Sequence, residues 1–410
     1  MKKKILIIGN GAKEYALARK LSENYEIYVT PSGDAIKEFV TCLDIREDNV
    51  KELLEFVMEN GIDLTIPCSV TSIKSDIVSK FTENKQQVFA PSANAAEITY
   101  NKVLAKKTLY KLRIPTPKFG IFEKQNQAMD YIKNQQIPFV MKTNDSNSAV
   151  IITSSGTAKN IAEMVYAEKD KRLIIEDYVY GTPFFFYTLT DGYKALPIGN
   201  SLAYKHSLDG DGGQLTSGMG ACIPNCKLTI EHEYFIMDNV IYPVLEYLDK
   251  AGKPYLGILG VNGIITDDGE ISVLGWQSFL QDCDAAGILE GIDDDLYDLF
   301  ESCIIGSFSD EVNSINLNDK LSVSLVLNCT NKVNNSNIIN GLDNLDEDTL
   351  ISFYPSVKKN KYLEYEAENG PLMVLTGLGY TYSSASEKVY SDAEDIQYSG
   401  KFHRKDICRV

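Results

Sequence analysis

The sequence predicts an α/β protein that opens on a doubly wound, parallel-sheet unit and continues into β-rich units. Three observations carry this. Residues 4–8 form a short β-rich apolar run, followed by Gly9-Asn10-Gly11 and a helical pattern from Glu14 to Leu21. Strand, glycine turn and helix start are how a doubly wound unit begins. Short apolar runs near 26–30, 64–67 and 88–90 then alternate with helical stretches at 47–59, 73–83 and 101–112. That is the βαβ rhythm of a parallel sheet.

The remaining elements follow in order. Ile114-Pro115-Thr116-Pro117 breaks the pattern and ends a first unit, 1–119. A small unit, 120–187, holds strands at 139–142, 149–153 and 173–177 with a helix near 157–168. A third, 188–310, holds strands near 184–190, 194–198, 257–266 and 270–276 and a helix at about 229–249. A fourth, 311–410, returns to short strands at 321–328, 350–354 and 372–378, with a helix near 384–393. The Asn-rich segment 328–338 reads as a surface loop.

Composition narrows the function classes. At 410 residues and 44% hydrophobic content the chain supports several cores. It lacks an apolar run of membrane-spanning length. The opening Met-Lys-Lys-Lys-Ile-Leu-Ile-Ile-Gly is too short in its apolar part for a signal peptide and reads as a buried first strand. A net charge of −17 argues against nucleic acid as the main partner. Eight cysteines are scattered without metal-ligand spacing, Cys222 and Cys226 being the nearest pair. They read as reduced thiols of a cytoplasmic protein.

The most informative stretch is 200–224, Asn-Ser-Leu-Ala-Tyr-Lys-His-Ser-Leu-Asp-Gly-Asp-Gly-Gly-Gln-Leu-Thr-Ser-Gly-Met-Gly-Ala-Cys-Ile-Pro. So rich a run of Gly, Ser and Asp is expected to be a loop rather than a helix or regular strand. Its glycines let backbone N–H groups approach a ligand, and Lys205 and His206 place cationic groups at its start. Tyr204-Lys205-His206, Asp211-Gly212-Gly213 and Thr216-Ser217-Gly218-Met219-Gly220-Ala221 resemble the D-H-K-R…G-D…T-G-G-M-G-A loop of the glycinamide ribonucleotide synthetase (phosphoribosylamine–glycine ligase) family, which has the ATP-grasp architecture. Gly9 to Ala18 is similar to that family's opening motif, and Asp63-Leu64-Thr65-Ile66 to its second marker. Pro91-Ser92, then Asn101 to Lys106, Ile114-Pro115-Thr116, and Arg404-Lys405-Asp406-Ile407 continue the resemblance in order along nearly the whole chain.

The resemblance implies an ATP-grasp fold: an N-terminal parallel-sheet domain, a two-lobed ATP-grasp core and a C-terminal α+β domain. It implies ATP-dependent joining of a carboxylic acid to an amine through an acyl phosphate, with ATP and Mg²⁺, small-molecule substrates and a monomer or homodimer. By the same resemblance, Lys102 and Lys142 hold ATP phosphates, Glu176, Asp177 and Val179 form the hinge that holds adenine and ribose, and Lys205 and His206 serve catalysis. Substrate falls to Gly9, Asn10, Gly11, Lys13, Glu14, Gly218, Met219 and Gly220. On the residues alone, the Gly9–Gly11 turn is an anion site over a helix N-terminus or an ordinary tight turn. Glu14 at the third glycine position of G-x-G-x-x-G argues against a dinucleotide. Lys142 is a phosphate clamp or a solvated strand end.

The chain also departs from the family's pattern. The glycine-rich flap is here Thr143-Asn144-Asp145-Ser146-Asn147-Ser148-Ala149, without glycine and with an added acid. In the metal segment Gly275 replaces the Glu ligand, Gln277 the Asn, and Phe279 the Arg that helps hold the transferred phosphate. Magnesium prefers carboxylate and water oxygens, so Gln277, Asp282 and Asp284 remain as weak candidate ligands, the two acids reading otherwise as a solvated loop. Val70 stands where the family has a Glu. Two readings stay open: a ligase, for purine synthesis or a paralogous pathway with another acid or amine, and a catalytically impaired binding or regulatory protein on the same fold.

Overall fold

The computed structural model describes residues 2–144, 149–168, 171–306, 308, 313–330 and 337–409. It contains three main sheets. The first has four parallel strands in the order Thr41–Cys42, Glu26–Thr30, Lys4–Ile8, Leu64–Pro67. Ile5 to Ile8 are fully buried because helices cover both faces, which is why this strand reads as an unbroken apolar run. Helix Ala12–Ser22 packs on Ile5 and Ile7. Helices Val50–Asn60 and Ile77–Glu83 pack on Leu6 and Ile8.

The second sheet is antiparallel, in the order Phe119–Phe122, Leu173–Asp177, Phe139–Thr143, Ala149–Ile152. Helices Gln125–Ile132 and Ser155–Ala167 share one apolar core with it. The third runs Ile271–Gln277, Leu256–Thr266, Gly181–Asp191, Ala195–Leu208, Gly212–Ile223, Leu321–Cys329, Gly370–Gly379, Thr349–Phe353, antiparallel throughout. It is continuous across residue 310, so the stretches 188–310 and 311–410 share it. Helices Ala93–Tyr100 and Lys102–Lys111 share a core with its strands Leu256–Thr266 and Ile271–Gln277.

Several expectations need correction. The glycine-rich run 200–224 is a β-hairpin, not a loop. Its strands Ala195–Leu208 and Gly212–Ile223 pair with each other and with a neighbour on each side. Sheet pairing satisfies the backbone polar groups that small side chains leave uncovered. The glycines serve close approach instead: a Cβ at Gly220 would strike the Ser324 carbonyl of the adjoining strand. The tip turns through Asp209–Asp211, with Gly210 at φ +63°.

The helix expected at 73–83 is two helices, Val70–Lys74 and Ile77–Glu83, parted by Asp76 in a left-handed conformation at φ 62°. Residues 88–90 are not a strand, since Val88 makes only an isolated bridge to Thr65. Asp282 and Asp284 are not in a solvated loop. They open helix Asp282–Gly291, and Asp284 is buried. Of the Asn-rich segment, 331–336 lie outside the described residues, while Asn328 is in a strand and Asn337 is buried. The cysteines are not all thiols: Cys222 and Cys408 form a buried disulfide. Folding brings residues 186 apart in sequence to a Cα separation of 5.8 Å, a pairing that spacing along the chain does not reveal.

Candidate active site

Two lysines pair with one buried carboxylate between the small sheet and the long sheet, and two more lie near them. Lys142 comes from strand Phe139–Thr143, and its Nζ donates to Glu176 Oε2 at 2.9 Å. Lys106, from helix Lys102–Lys111, places its Nζ 3.3 Å from Glu176 Oε1 and 2.9 Å from Thr116 Oγ1. Lys102 opens the same helix one turn earlier, capped by Asn101, whose Oδ1 accepts from Leu104 N. Lys205, on the hairpin, lies 4.4 Å above the Phe185 ring with Asn262 Oδ1 at 3.4 Å.

Burial and mutual repulsion set the charge balance. Burial brings Lys102 down to about 8, with Lys142 adding to the effect. Lys205 falls to about 8 by burial, then by the neighbouring Lys142. Lys106 is also lowered to about 8 by burial, against the pull of Glu176. Burial works to raise Glu176, but Lys142 and Lys106 outweigh it and hold the carboxyl below its ordinary range. Four lysines thus converge on a poorly solvated cleft, with Glu176 paired to two of them and Asp284 acting on Lys205. Such a cleft suits a polyanion, because a buried charge needs a partner.

The other expected residues divide into groups. Asp177 accepts from Gln135 Nε2, and Val179 follows in the partly buried connection to strand Gly181–Asp191. The Glu176 carboxylate pairs with Lys106 and Lys142 and organises that part of the cluster. His206 faces inward with a buried Nδ1 that has no partner among the described residues, and its carbonyl accepts from Arg404. Gly218, at φ +153°, lies where a Cβ would come within 2.8 Å of Cys283 Sγ. Met219 is buried against Asn328. Of the flap, Asp145 to Ser148 lie outside the described residues. Asn144 beside them accepts from Val103 N at 3.0 Å, which ties the flap strand to the Lys102 helix.

At the Gly9–Gly11 turn the chain supplies its own anion. Gly11 N donates to Glu14 Oε2 at 2.8 Å, and Lys13 Nζ lies 2.8 Å from Glu14 Oε1. Burial raises the Glu14 carboxyl, and Lys13 opposes that. Asn10 sits partly buried inside this turn.

The candidate metal ligands do not converge. Asp282 Oδ1 accepts from Lys13 N at 3.0 Å, and Asp284 Oδ2 from Tyr187 Oη at 2.6 Å. Burial raises Asp284 to about 6. Gln277 ends its strand opposite Gly260, and Gly275 has open space where a side chain would project. Among the described residues no three His, Cys, Asp or Glu side chains gather as a metal site. These donors do not fit an all-protein magnesium site.

Two residues were missed in the sequence. Lys106 carried a readable signal, its i+4 spacing from Lys102 on one helix. Arg404 was seen only as part of a motif. It is 1% exposed and donates to Asp211, Asp406 and the His206 carbonyl. It thereby fastens the C-terminal segment to the hairpin tip.

A parallel-sheet domain, a small antiparallel lobe and a large antiparallel sheet enclosing a lysine-lined cleft define an ATP-grasp protein. Residues 3–99 match the N domain of phosphoribosylglycinamide synthetase and residues 100–285 its ATP-grasp (A) domain. The chain belongs to this family. It is 26% identical over 419 residues to the phosphoribosylamine–glycine ligase of Caldanaerobacter subterraneus subsp. tengcongensis, covering 99% of each chain. It is 28% identical over 420 residues to that of Vibrio parahaemolyticus, covering 98% of this chain and 97% of the relative. Among solved structures, the phosphoribosylamine–glycine ligase of Thermotoga maritima matches with a TM-score of 0.81 at 21% identity, over 98% of this chain and 100% of that one. The biotin carboxylase domain of Hydrogenobacter thermophilus 2-oxoglutarate carboxylase, solved with MgADP, matches at 0.72 and 15%, over 98% of this chain and 92% of that one.

Proposed function

We propose that the protein is an ATP-dependent carboxylate–amine ligase, in purine synthesis or a paralogous pathway with a different acid or amine. The observation that carries this is the convergence of Lys102, Lys106, Lys142 and Lys205 on one cleft, where Lys106 and Lys142 pair with Glu176. The family and the relatives' names support it, and they favour it over a binding protein without chemistry.

The reaction needs no enzyme nucleophile. A carboxylate oxygen of the acid bonds to the γ-phosphorus of ATP as the bond to the β,γ-bridging oxygen breaks, releasing ADP. The amine lone pair then attacks the acyl carbon. The carbon–oxygen bond to phosphate breaks, phosphate leaves with that electron pair, and the nitrogen loses a proton. The protein's part is to hold the reactants and to neutralise charge on the phosphate oxygens. Lys102, Lys142 and Lys205 would bind those oxygens, and Lys106 with Glu176 would hold Lys142 in place. Asp177 and Val179 stand at the small-lobe edge for the nucleoside. No step is assigned to a magnesium ion, since the described donors do not gather into a site of their own.

The substrates are small molecules, and no described helix is long and apolar enough to cross a membrane. A cytoplasmic location accords with the relatives' activity, whereas the Cys222–Cys408 disulfide calls for an oxidising setting. Titrating ATP with magnesium into the protein by calorimetry tests the reading, with Lys142→Ala as control. Binding in the wild type, weakened at least about tenfold in the variant by loss of a charged phosphate contact, supports it. No binding at millimolar ATP would remove it.

A further inference from the structure

Lys205 is held differently from Lys106 and Lys142. Strand Ala195–Leu208 loses its regular register at this residue: Tyr204 pairs with Gly220 and His206 with Leu215, so residues 216–219 all lie opposite Lys205. A bulge of this kind re-aims the side chain it faces. Thr216 Oγ1 donates to the Lys205 carbonyl at 2.9 Å and fixes the backbone there. The side chain carries its ammonium over the neighbouring strand, 4.4 Å from the centroid of the buried Phe185 ring. Asn262, in register with Phe185 on the next strand, accepts from Lys205 Nζ at 3.4 Å.

Phe185 is itself held firmly. Its ring stacks on that of Tyr187, with centroids 5.8 Å apart and planes 16° apart. Tyr187 Oη donates to Asp284 Oδ2 at 2.6 Å and accepts from Gln281 N at 3.2 Å. Opposite Tyr187 stands Gly260, where a Cβ would come within 2.8 Å of the ring.

An ammonium group taken out of water needs compensation. Lys106 and Lys142 obtain it from Glu176, and a lysine neutralised by a carboxylate attracts a second anion less. An aromatic face compensates through its quadrupole, without a full negative charge beside the ammonium. Lys205 makes no ion pair among the described residues, although Asp284 acts on its charge.

We infer that Phe185 is the positioning residue of Lys205: its ring face holds the ammonium in place of a carboxylate, so that the charge stays available to the phosphate oxygens of the nucleotide. This rests on the ligase reading for the anion but not for the hold on Lys205. The full-length protein is made with phenylalanine, 4-fluoro-, 3,5-difluoro- or 3,4,5-trifluorophenylalanine at position 185. Fluorine drains negative charge from the ring face and hardly alters its shape. Phe185→Leu removes the face altogether. ATP with magnesium is titrated into each by calorimetry. In parallel, nucleotide-free protein grown on lysine carrying ¹³C at Cε is read by NMR, the Lys205 signal being assigned by its absence from Lys205→Arg.

ATP affinity should fall stepwise along the fluorinated series and by roughly three- to thirtyfold in Phe185→Leu, the range that a cation–π contact spans. The ring current should hold the Lys205 ε-methylene signal upfield, and Phe185→Leu should return it to the ordinary lysine position. The fluorinated series keeps the shape of the core, so the outcome does not depend on Phe185→Leu folding. Equal affinity along that series, or a Lys205 signal with no upfield shift, would overturn the inference with the ligase reading intact. No ATP binding by the wild type, with an upfield Lys205 signal that Phe185→Leu abolishes, would sink the ligase reading and support the hold of Phe185 on Lys205.

Discussion

Glu176 holds the one carboxylate among the described residues that touches both Lys106 and Lys142, and its surroundings make it costly to lose. Glu176→Gln leaves two buried ammonium groups facing each other. Removing one partner of a buried ion pair costs about 3–5 kcal/mol, and a denaturant melt should show a loss of that order. ATP should restore part of the loss, because a polyanion replaces the missing charge. A melt unchanged by the substitution would mean that the lysines find other counter-ions.

The lysines also predict opposite effects of pH on binding and on stability. Lys102, Lys106 and Lys205 are held to about 8, first by burial. ATP affinity should therefore fall between pH 7 and 9 as these groups lose their protons. Stability of the nucleotide-free protein moves the other way. An unfolded lysine titrates near ~10.4, so between pH 8 and that value the unfolded chain binds more protons than the folded one. Stability rises with pH wherever that holds. Calorimetry at pH 7 and 9, beside melts at pH 7.5 and 9.5, reads both slopes. An affinity flat with pH would place the phosphates away from these lysines.

Among the elements, the glycine hairpin depends on what its residues lack. Gly220→Ala would drive a methyl group into the Ser324 carbonyl, and Ile407 lies close on the same side. Overpacking of this kind costs typically about 1–3 kcal/mol. We expect a lowered melting temperature and weaker ATP binding, since Lys205 rides on the paired strand. An unchanged melting temperature would show that the strands part freely. The hairpin was the most recognisable motif and the least correctly pictured element. Gly-rich composition signals close approach equally well in a loop or a strand, and only the neighbouring strands Gly181–Asp191 and Leu321–Cys329 decide which. The Ala12–Ser22 helix and the buried first strand were legible because their local periodicity and final burial agree.

For the whole molecule, the C-terminal segment is fastened to the hairpin twice, by Arg404 at the tip and by the Cys222–Cys408 disulfide at the base. A cross-link over so long a stretch of chain restrains the unfolded state, and removing a native disulfide costs about 2–5 kcal/mol. Cys408→Ser, or reductant added to the wild type, should lower the melting temperature. A wild type indifferent to reductant would mean that the two sulfurs remain thiols in solution.

By itself the sequence determined the fold class and the family, and it singled out Lys102, Lys142 and Lys205 as candidates. Those features are local: a strand-end lysine, a helix-capped lysine and ordered short motifs keep their meaning wherever the chain goes. Only tertiary structure decided that Glu176 serves the lysines, that Glu14 fills its own glycine turn, and that Asp282 and Asp284 turn to separate partners. It also paired Cys222 with Cys408. Each of these depends on groups distant in sequence meeting in a poorly solvated interior, where partner and distance, not residue type, set charge and chemistry.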